Sequence, residues 1–283
     1  MEWEKIWSKR VPGYGRCIYC GSDGGIEGLR DEHVIPFALG GDVVIEGGSC
    51  RDCERKISPV DTHLGRSVYG HHRIHVDAPT RNPKERPSSL PANFTVMGND
   101  IALELPIKDH PYSLVLPVWG DAGFLRGAPI DSPFPETFYQ AYHWLPPNMR
   151  ETLKLTSDED YRIWASGRVD TALFARGLAK IAYCNIVMRF GLDGFRPLAL
   201  QALILGSFSG IPYFVGTDLK EPPARFGREA LHTVQFTELE ARPGNLKLWV
   251  CAIRLFAHSG AGKHGMPIYH VIAGAPKLSP CSL

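Results

Sequence analysis

Cys17-Ile18-Tyr19-Cys20-Gly21, then Asp31-Glu32-His33-Val34-Ile35-Pro36, then Cys50-Arg51-Asp52-Cys53-Glu54 follow one another near the start of this chain. Each cysteine pair has the Cys-x-x-Cys form, and 29 residues separate the two pairs. A Cys-x-x-Cys turn presents two thiolates from one tight knuckle, and two such knuckles complete the tetrahedron of a closed structural zinc site. Gly21 suits the turn that closes the first knuckle. Zinc binding in small sites of this kind contributes roughly 10–16 kcal/mol, which is also folding energy. The zinc predicted at Cys17, Cys20, Cys50 and Cys53 is therefore structural, with no position left for a substrate.

Between the knuckles, Leu29 to Pro36 reads as a short strand ending in an acid and a histidine. Pro36 and the pair Gly40-Gly41 break that strand and begin a loop. The second knuckle enters a short helix, with Pro59 expected to end it. The local order is strand, loop, helix, with His33 at the strand end and Glu54 at the helix start. A glutamate and a histidine so placed are the residue types that bind a hard metal and take a proton from water.

These residues resemble the zinc-containing HNH endonucleases, which have a ββα-metal core. The likeness covers residues 14 to 60 or so, and it rests on the order Cys-x-x-Cys-Gly, Glu-His-x-Ile-Pro, Gly-Gly, Cys-x-x-Cys. It implies that His33 is the general base and that Glu32 is a ligand of a catalytic divalent metal. It also puts the second ligand at Glu54, where the family usually carries Asn or His. The family's middle asparagine should fall near Glu46 to Gly48, and none stands there, which leaves Asp31 or a backbone carbonyl to orient the histidine. Oxygen-only ligands favour Mg²⁺ or Mn²⁺ over zinc at this second site. The resemblance implies hydrolysis of a phosphodiester, with DNA as the expected substrate and a 5′-phosphate product. Two other readings stand beside it. One is a zinc ribbon that binds nucleic acid or protein without cleaving, and the other is a defence-type nuclease gated by the rest of the chain.

The formal net charge of the 283-residue chain is +1, so no global basic field announces nucleic acid. Residues 51–90 are locally basic, however, with eight Lys/Arg against five Asp/Glu. Arg73, Arg81, Lys84 and Arg86 are candidates for sequence-independent phosphate contacts. His63 is a candidate metal ligand or a surface residue, while His71, His72 and His75 are expected in solvent or facing phosphate. The proline-bounded segment 79–91 reads as a linker or an extended arm.

Residues 1–13 form a polar lead-in carrying Trp3 and Trp7, residues 14–92 the zinc-stapled module with its basic arm, and residues 93–283 an α+β accessory domain. Within the last, Phe94–Met97 and Ile101–Leu105 flank Gly98-Asn99-Asp100 as a hairpin. Tyr112–Trp119 reads as a strand, Val169 to Met188 as a long amphipathic helix stopped by Gly191, and Leu248–Phe256 and Pro267–Ala273 as strands joined by a glycine-rich loop. Of the seven cysteines, Cys184, Cys251 and Cys281 lie outside the knuckles, the first two as buried thiols. The N-terminus lacks the apolar run of a signal peptide, and no window of about 18 residues is apolar and uncharged. The expectation is an α+β protein of the reducing cytoplasm with no membrane partner.

Overall fold

Two glycines and a run of β-branched residues determine how the first sheet forms. Leu29–His33 (β2) and Val44–Cys50 (β3) pair antiparallel, and Arg10–Val11 (β1) adds to β3 in parallel, giving the order β1-β3-β2. The register slips between Arg30, opposite Ser49, and Glu32, opposite Ile45. Glu46, Gly47 and Gly48 therefore bulge out of β3, and Gly47 takes a φ of 55°, which glycine tolerates without strain. β3 runs directly into helix α1, Arg51–Thr62, with Cys50 as its extended N-cap and Asp52 and Glu54 in the first turn, where acids favour the helix dipole. This is the expected ββα order.

The computed structural model describes residues 10–78, 80, 82–130, 137–156, 160–164, 169–208, 210–219, 231–241, 246–257 and 265–277. Trp3 and Trp7, Arg81, Cys281 and most of the glycine-rich loop, residues 258–264, lie outside the described residues.

Pro59 does not end α1. The helix carries it internally, and the backbone continues through a π-helical stretch, His63–Val68, into α2, Gly70–His75. A proline has no N–H to give the carbonyl four residues back, and the widened turns that follow are where such a break in the hydrogen-bond ladder is absorbed.

Ser89–Val96 (β4) and Asn99–Pro106 (β5) form the expected hairpin, turning through Met97 and Gly98, both at positive φ. β4 thus spans the boundary expected between residues 92 and 93. Tyr112–Val118 (β6) pairs with Thr137–Trp144 (β7). Met149–Thr152 (α3) precedes Tyr161–Trp164 (β8), which adds to β4. Then comes α4, Thr171–Phe190, capped at its start by the Asp170 carboxylate accepting from the Leu173 amide and followed by Gly191 at φ 70°. Phe195–Arg196 (β9), Leu200–Ile204 (α5), Ile211–Phe214 (α6) and Val215–Asp218 (β10) lead to three long strands, Thr233–Ala241 (β11), Leu246–Arg254 (β12) and Ile268–Pro276 (β13). The last sheet has the order β10-β13-β12-β11, with β9 also pairing with β13.

The amphipathic pattern expected of α4 gives way to burial on nearly every face, from Phe174 to Val187. One apolar core contains the zinc knuckles, α4 and the last sheet, while β4, β5, β8 and α3 enclose a small separate cluster around Phe94 and Met149. α4 reaches the module at named atoms. Tyr183 Oη donates to the carbonyl of Ile18 in the first knuckle (2.6 Å), Tyr14 Oη to the carbonyl of Val187 (2.8 Å) and Arg176 Nη2 to that of Lys56 (3.1 Å). Gly177 makes the approach possible, because a Cβ there would lie 2.4 Å from Leu64 Cδ1. Among the described residues no helix is long and apolar enough to cross a membrane.

Candidate active site

The four thiols meet. The sulfurs of Cys17, Cys20, Cys50 and Cys53 all lie within 4.8 Å of one another, and Cys20 and Cys50 Sγ are 3.6 Å apart. Four sulfurs at that spacing match the donor set and size of a structural zinc site. It joins the loop before β2 to the junction of β3 and α1, so it fixes the end of the sheet from which the helix departs.

From that junction the strand and helix diverge around a cleft of about 610 Å³. Glu32 and His33 of β2, Glu54 and Asp61 of α1, Arg66 of the π-helical stretch, Arg73 of α2 and Arg86 of the arm all line it. The arm is thus no mere spacer. Thr80, Asn82, Glu85, Arg86 and Pro87 return to form one wall. Arg86 is held there by Asp77 and the carbonyl of Ala78. Burial, with Arg86 and Arg66 close by, lowers the pKa of Arg73, so three guanidiniums share this side of the cleft. Lys84 is exposed and does not line it.

His33 ends β2 with its ring against Phe37, centroids 5.6 Å apart, and is half-buried. The bulge occupies the place of the motif's absent asparagine. Asp31 anchors it by accepting from the Gly47 amide (3.1 Å) and pairing with Arg10 (2.6 Å), which also holds Glu46 (2.7 Å). Those hydrogen bonds, Arg10's first, keep the Asp31 carboxyl below its usual range. Gly48 in turn makes room for Glu32, since a Cβ at residue 48 would sit 2.8 Å from Glu32 Cβ.

Glu32 and Glu54 differ in setting. Glu54 is exposed and pairs with Arg30 at 3.2 Å, an ion pair worth at most about 1 kcal/mol. Glu32 is buried, and its Oε1 lies 2.8 Å from the ammonium of Lys180, which comes from α4 and is itself fully buried. Asp61 pairs with the same ammonium at 2.9 Å. Burial pushes Glu32 up against the opposing pull of Lys180, whereas on Lys180 the two carboxylates outweigh burial and hold the ammonium above its ordinary range. Reading the sequence missed Lys180 and Asp61. The available signal was a lysine at the centre of an otherwise apolar helix, a position that demands counter-ions.

The carboxylates of Glu32 and Glu54 are oxygen donors, which suit a hard divalent ion in kind.

Three expectations about histidines change. His63 is buried rather than on the surface, and its Nε2 accepts the amide of Asp170 at 3.0 Å, a bond that ties the π-helical stretch to the start of α4 and leaves His63 outside the cleft lining. His72 is buried against Tyr142 and Phe256, with Nδ1 3.1 Å from Tyr112 Oη. His75 stacks on Tyr112 at 4.0 Å and meets His110 at 3.4 Å. These two face β6 and β7 rather than solvent, and only His71 is exposed, edge-on to His110. Burial first, and then the neighbouring histidines, pull His72 and His75 down to about 4.

In comparison with known proteins, no curated protein and no solved structure matches this chain. One family does: residues 17–69, the span that holds all four knuckle cysteines, Glu32, His33, Glu54 and Asp61, match the family model of the HNH endonucleases.

Proposed function

We propose that this protein is a metal-dependent endonuclease that hydrolyses phosphodiester bonds, with DNA as substrate. The observation that carries the reading is that His33, Glu32 and Glu54 line one cleft together with three arginines. His33, as a neutral imidazole, takes the proton from the attacking water. Its ring packs against Phe37 at the strand end, where it lines the cleft. Arg66, Arg73 and Arg86 bind the phosphates flanking the scissile bond, as charge partners that read no sequence. Glu32 and Glu54 would hold a divalent ion, which would supply positive charge to the scissile phosphate and the leaving oxygen. The product carries a 5′-phosphate, by analogy with the HNH family. A double-stranded substrate fits the arm's basic edge, and thiols kept for metal fit a reducing compartment such as the cytoplasm.

The test is nicking of supercoiled plasmid with Mg²⁺ or Mn²⁺ by the parent and by His33→Ala. The expected result is nicked circles from the parent and at least about 100-fold less from the variant. Equal activity would remove His33 from the mechanism. A parent that binds plasmid without nicking it would make the module a zinc ribbon that binds only.

A further inference from the structure

A lysine with no exposed surface behind two carboxylates that line a cleft needs a reason, because an ammonium taken from water costs several kcal/mol unless it is matched by charge and hydrogen bonds. Lys180 is matched twice. Its Nζ lies 2.8 Å from Glu32 Oε1 and 3.1 and 2.9 Å from the two oxygens of Asp61. The carboxylates come from β2 and α1, and the lysine comes from α4, well beyond the family-matched segment that ends at residue 69. The helix is brought close by Gly177, one turn before Lys180, which accepts Leu64 where a side chain would collide. The three charges sum to minus one.

We propose that Lys180 is a positioning residue of the nuclease site, a fixed cation that holds Glu32 from the α4 side and lowers the negative charge that the cleft offers a divalent ion. This rests on the proposed role of Glu32 as a ligand of that ion. Two consequences follow. The site is complete only when α4 is docked, so residues beyond the matched segment are part of the active site. The affinity for the divalent ion is set by a balance of one lysine against two acids rather than by ligands alone.

Isothermal titration of the full-length, zinc-loaded protein with Mn²⁺ at pH 8 reads this balance directly, without reference to cleavage. Lys180→Met raises the net charge of the trio to minus two and is expected to bind Mn²⁺ at least about tenfold more tightly, the attraction of one further partly buried charge. Asp61→Asn lowers it to zero and is expected to bind at least about tenfold more weakly, by the same attraction removed. The double variant Lys180→Met/Asp61→Asn restores minus one and should return to within about threefold of the parent, as cancelling charges require. Should Lys180→Met alone fail to fold, Asp61→Asn against the double variant decides. Lys180→Met binding no more tightly than the parent, or a double variant as weak as Asp61→Asn, overturns the proposal. Glu32→Gln separates this result from the reading beneath it. If Glu32→Gln binds Mn²⁺ like the parent, Glu32 is no ligand and both ideas fall. If it loses binding while Lys180→Met is unmoved, only the role of Lys180 falls.

Discussion

The zinc corner and the cleft floor belong to one small module and are held by interactions of opposite reach. At the corner, four sulfurs from two four-residue Cys-x-x-Cys segments close on a single point, and every one of them lies within residues 17–53. At the floor, Glu32 and Asp61 are fixed by an ammonium that is 119 residues from Asp61 along the chain. The corner draws all four sulfurs from its own segment, although Tyr183 of α4 also holds the first knuckle. The floor takes its cation from α4, which shares one core with the module. A module can thus find its metal-binding sulfurs locally and still depend on distant residues for the setting of its cleft.

The largest expected effect comes from breaking the corner. Removing zinc with a strong chelator, or substituting Cys50→Ser, should abolish the order of residues 14–62, because about 10 kcal/mol or more of metal-linked folding energy is lost. Elemental analysis should give one zinc per parent chain and less than half that in the variant, and protease should cut within the module first. A metal-free chain that resists protease in this segment would mean that α4 packing alone suffices, and the contrast between corner and floor would vanish.

How far the sequence revealed each region follows the same division. The knuckles, the strand ending at His33, the helix entering at Glu54 and the hairpin turning near Gly98 all rest on neighbours within a few residues, and all were legible. The bulge was not legible: Gly47-Gly48 stand in the sequence, but nothing local says that they leave the strand ladder, that Asp31 anchors them or that Gly48 makes room for Glu32. Local pattern marked α4 as a helix but not what its central lysine meets. Only the fold reveals that Lys180 faces two carboxylates. The histidines of α2 misled for the same reason. Next to Arg73 they look solvated, yet their partners Tyr112, Tyr142 and Phe256 come from elsewhere in the chain. Pro59 misled in the other direction, since a local rule for breaking helices was overridden by the packing of the continuous α1 to α2 stretch.

A middle-sized effect should appear in acid, where the long-range contacts carry the pH dependence. His232, at the start of the last sheet, accepts the Phe256 amide at Nδ1 (3.1 Å), so its Nε2–H donates to the Leu39 carbonyl (2.7 Å) in the loop after β2. Burial pulls this histidine down to about 4. Protonation would put a hydrogen on the nitrogen that must accept, so the folded state binds that proton less readily than the unfolded chain, whose value is about 6.5. Stability is therefore complete above pH 6.5 and falls as the pH drops from 6.5 toward 4, with at most about 3 kcal/mol lost through this group. His72 adds in the same direction. In urea titrations at pH 7.5, 6 and 5, His232→Gln should be less stable than the parent at pH 7.5 and lose less on acidification. Parallel pH slopes for parent and variant would remove His232 as the source.

The smallest effect on stability, and the sharpest on function, is expected at Glu54. Glu54 pairs with Arg30 across an exposed surface, so Glu54→Ala should change the unfolding free energy by less than about 1 kcal/mol and keep the structural zinc. If Glu54 holds the catalytic ion beside Glu32, the same change should end Mg²⁺- and Mn²⁺-supported nicking. His63→Ala makes the opposite combination. It removes the acceptor of the Asp170 amide at the start of α4, which should cost about 1–3 kcal/mol, the penalty for leaving a partly buried donor unmade. Because His63 does not line the cleft, nicking by the folded fraction should persist. Measured side by side, the two variants separate local chemistry from long-range support: one is stable and inactive, the other weakened and active. Normal cleavage by Glu54→Ala would reduce that residue to an acid favouring the first turn of α1 by a few tenths of a kcal/mol. The second ligand would then have to be sought on the cleft floor, where Asp61 already faces Lys180.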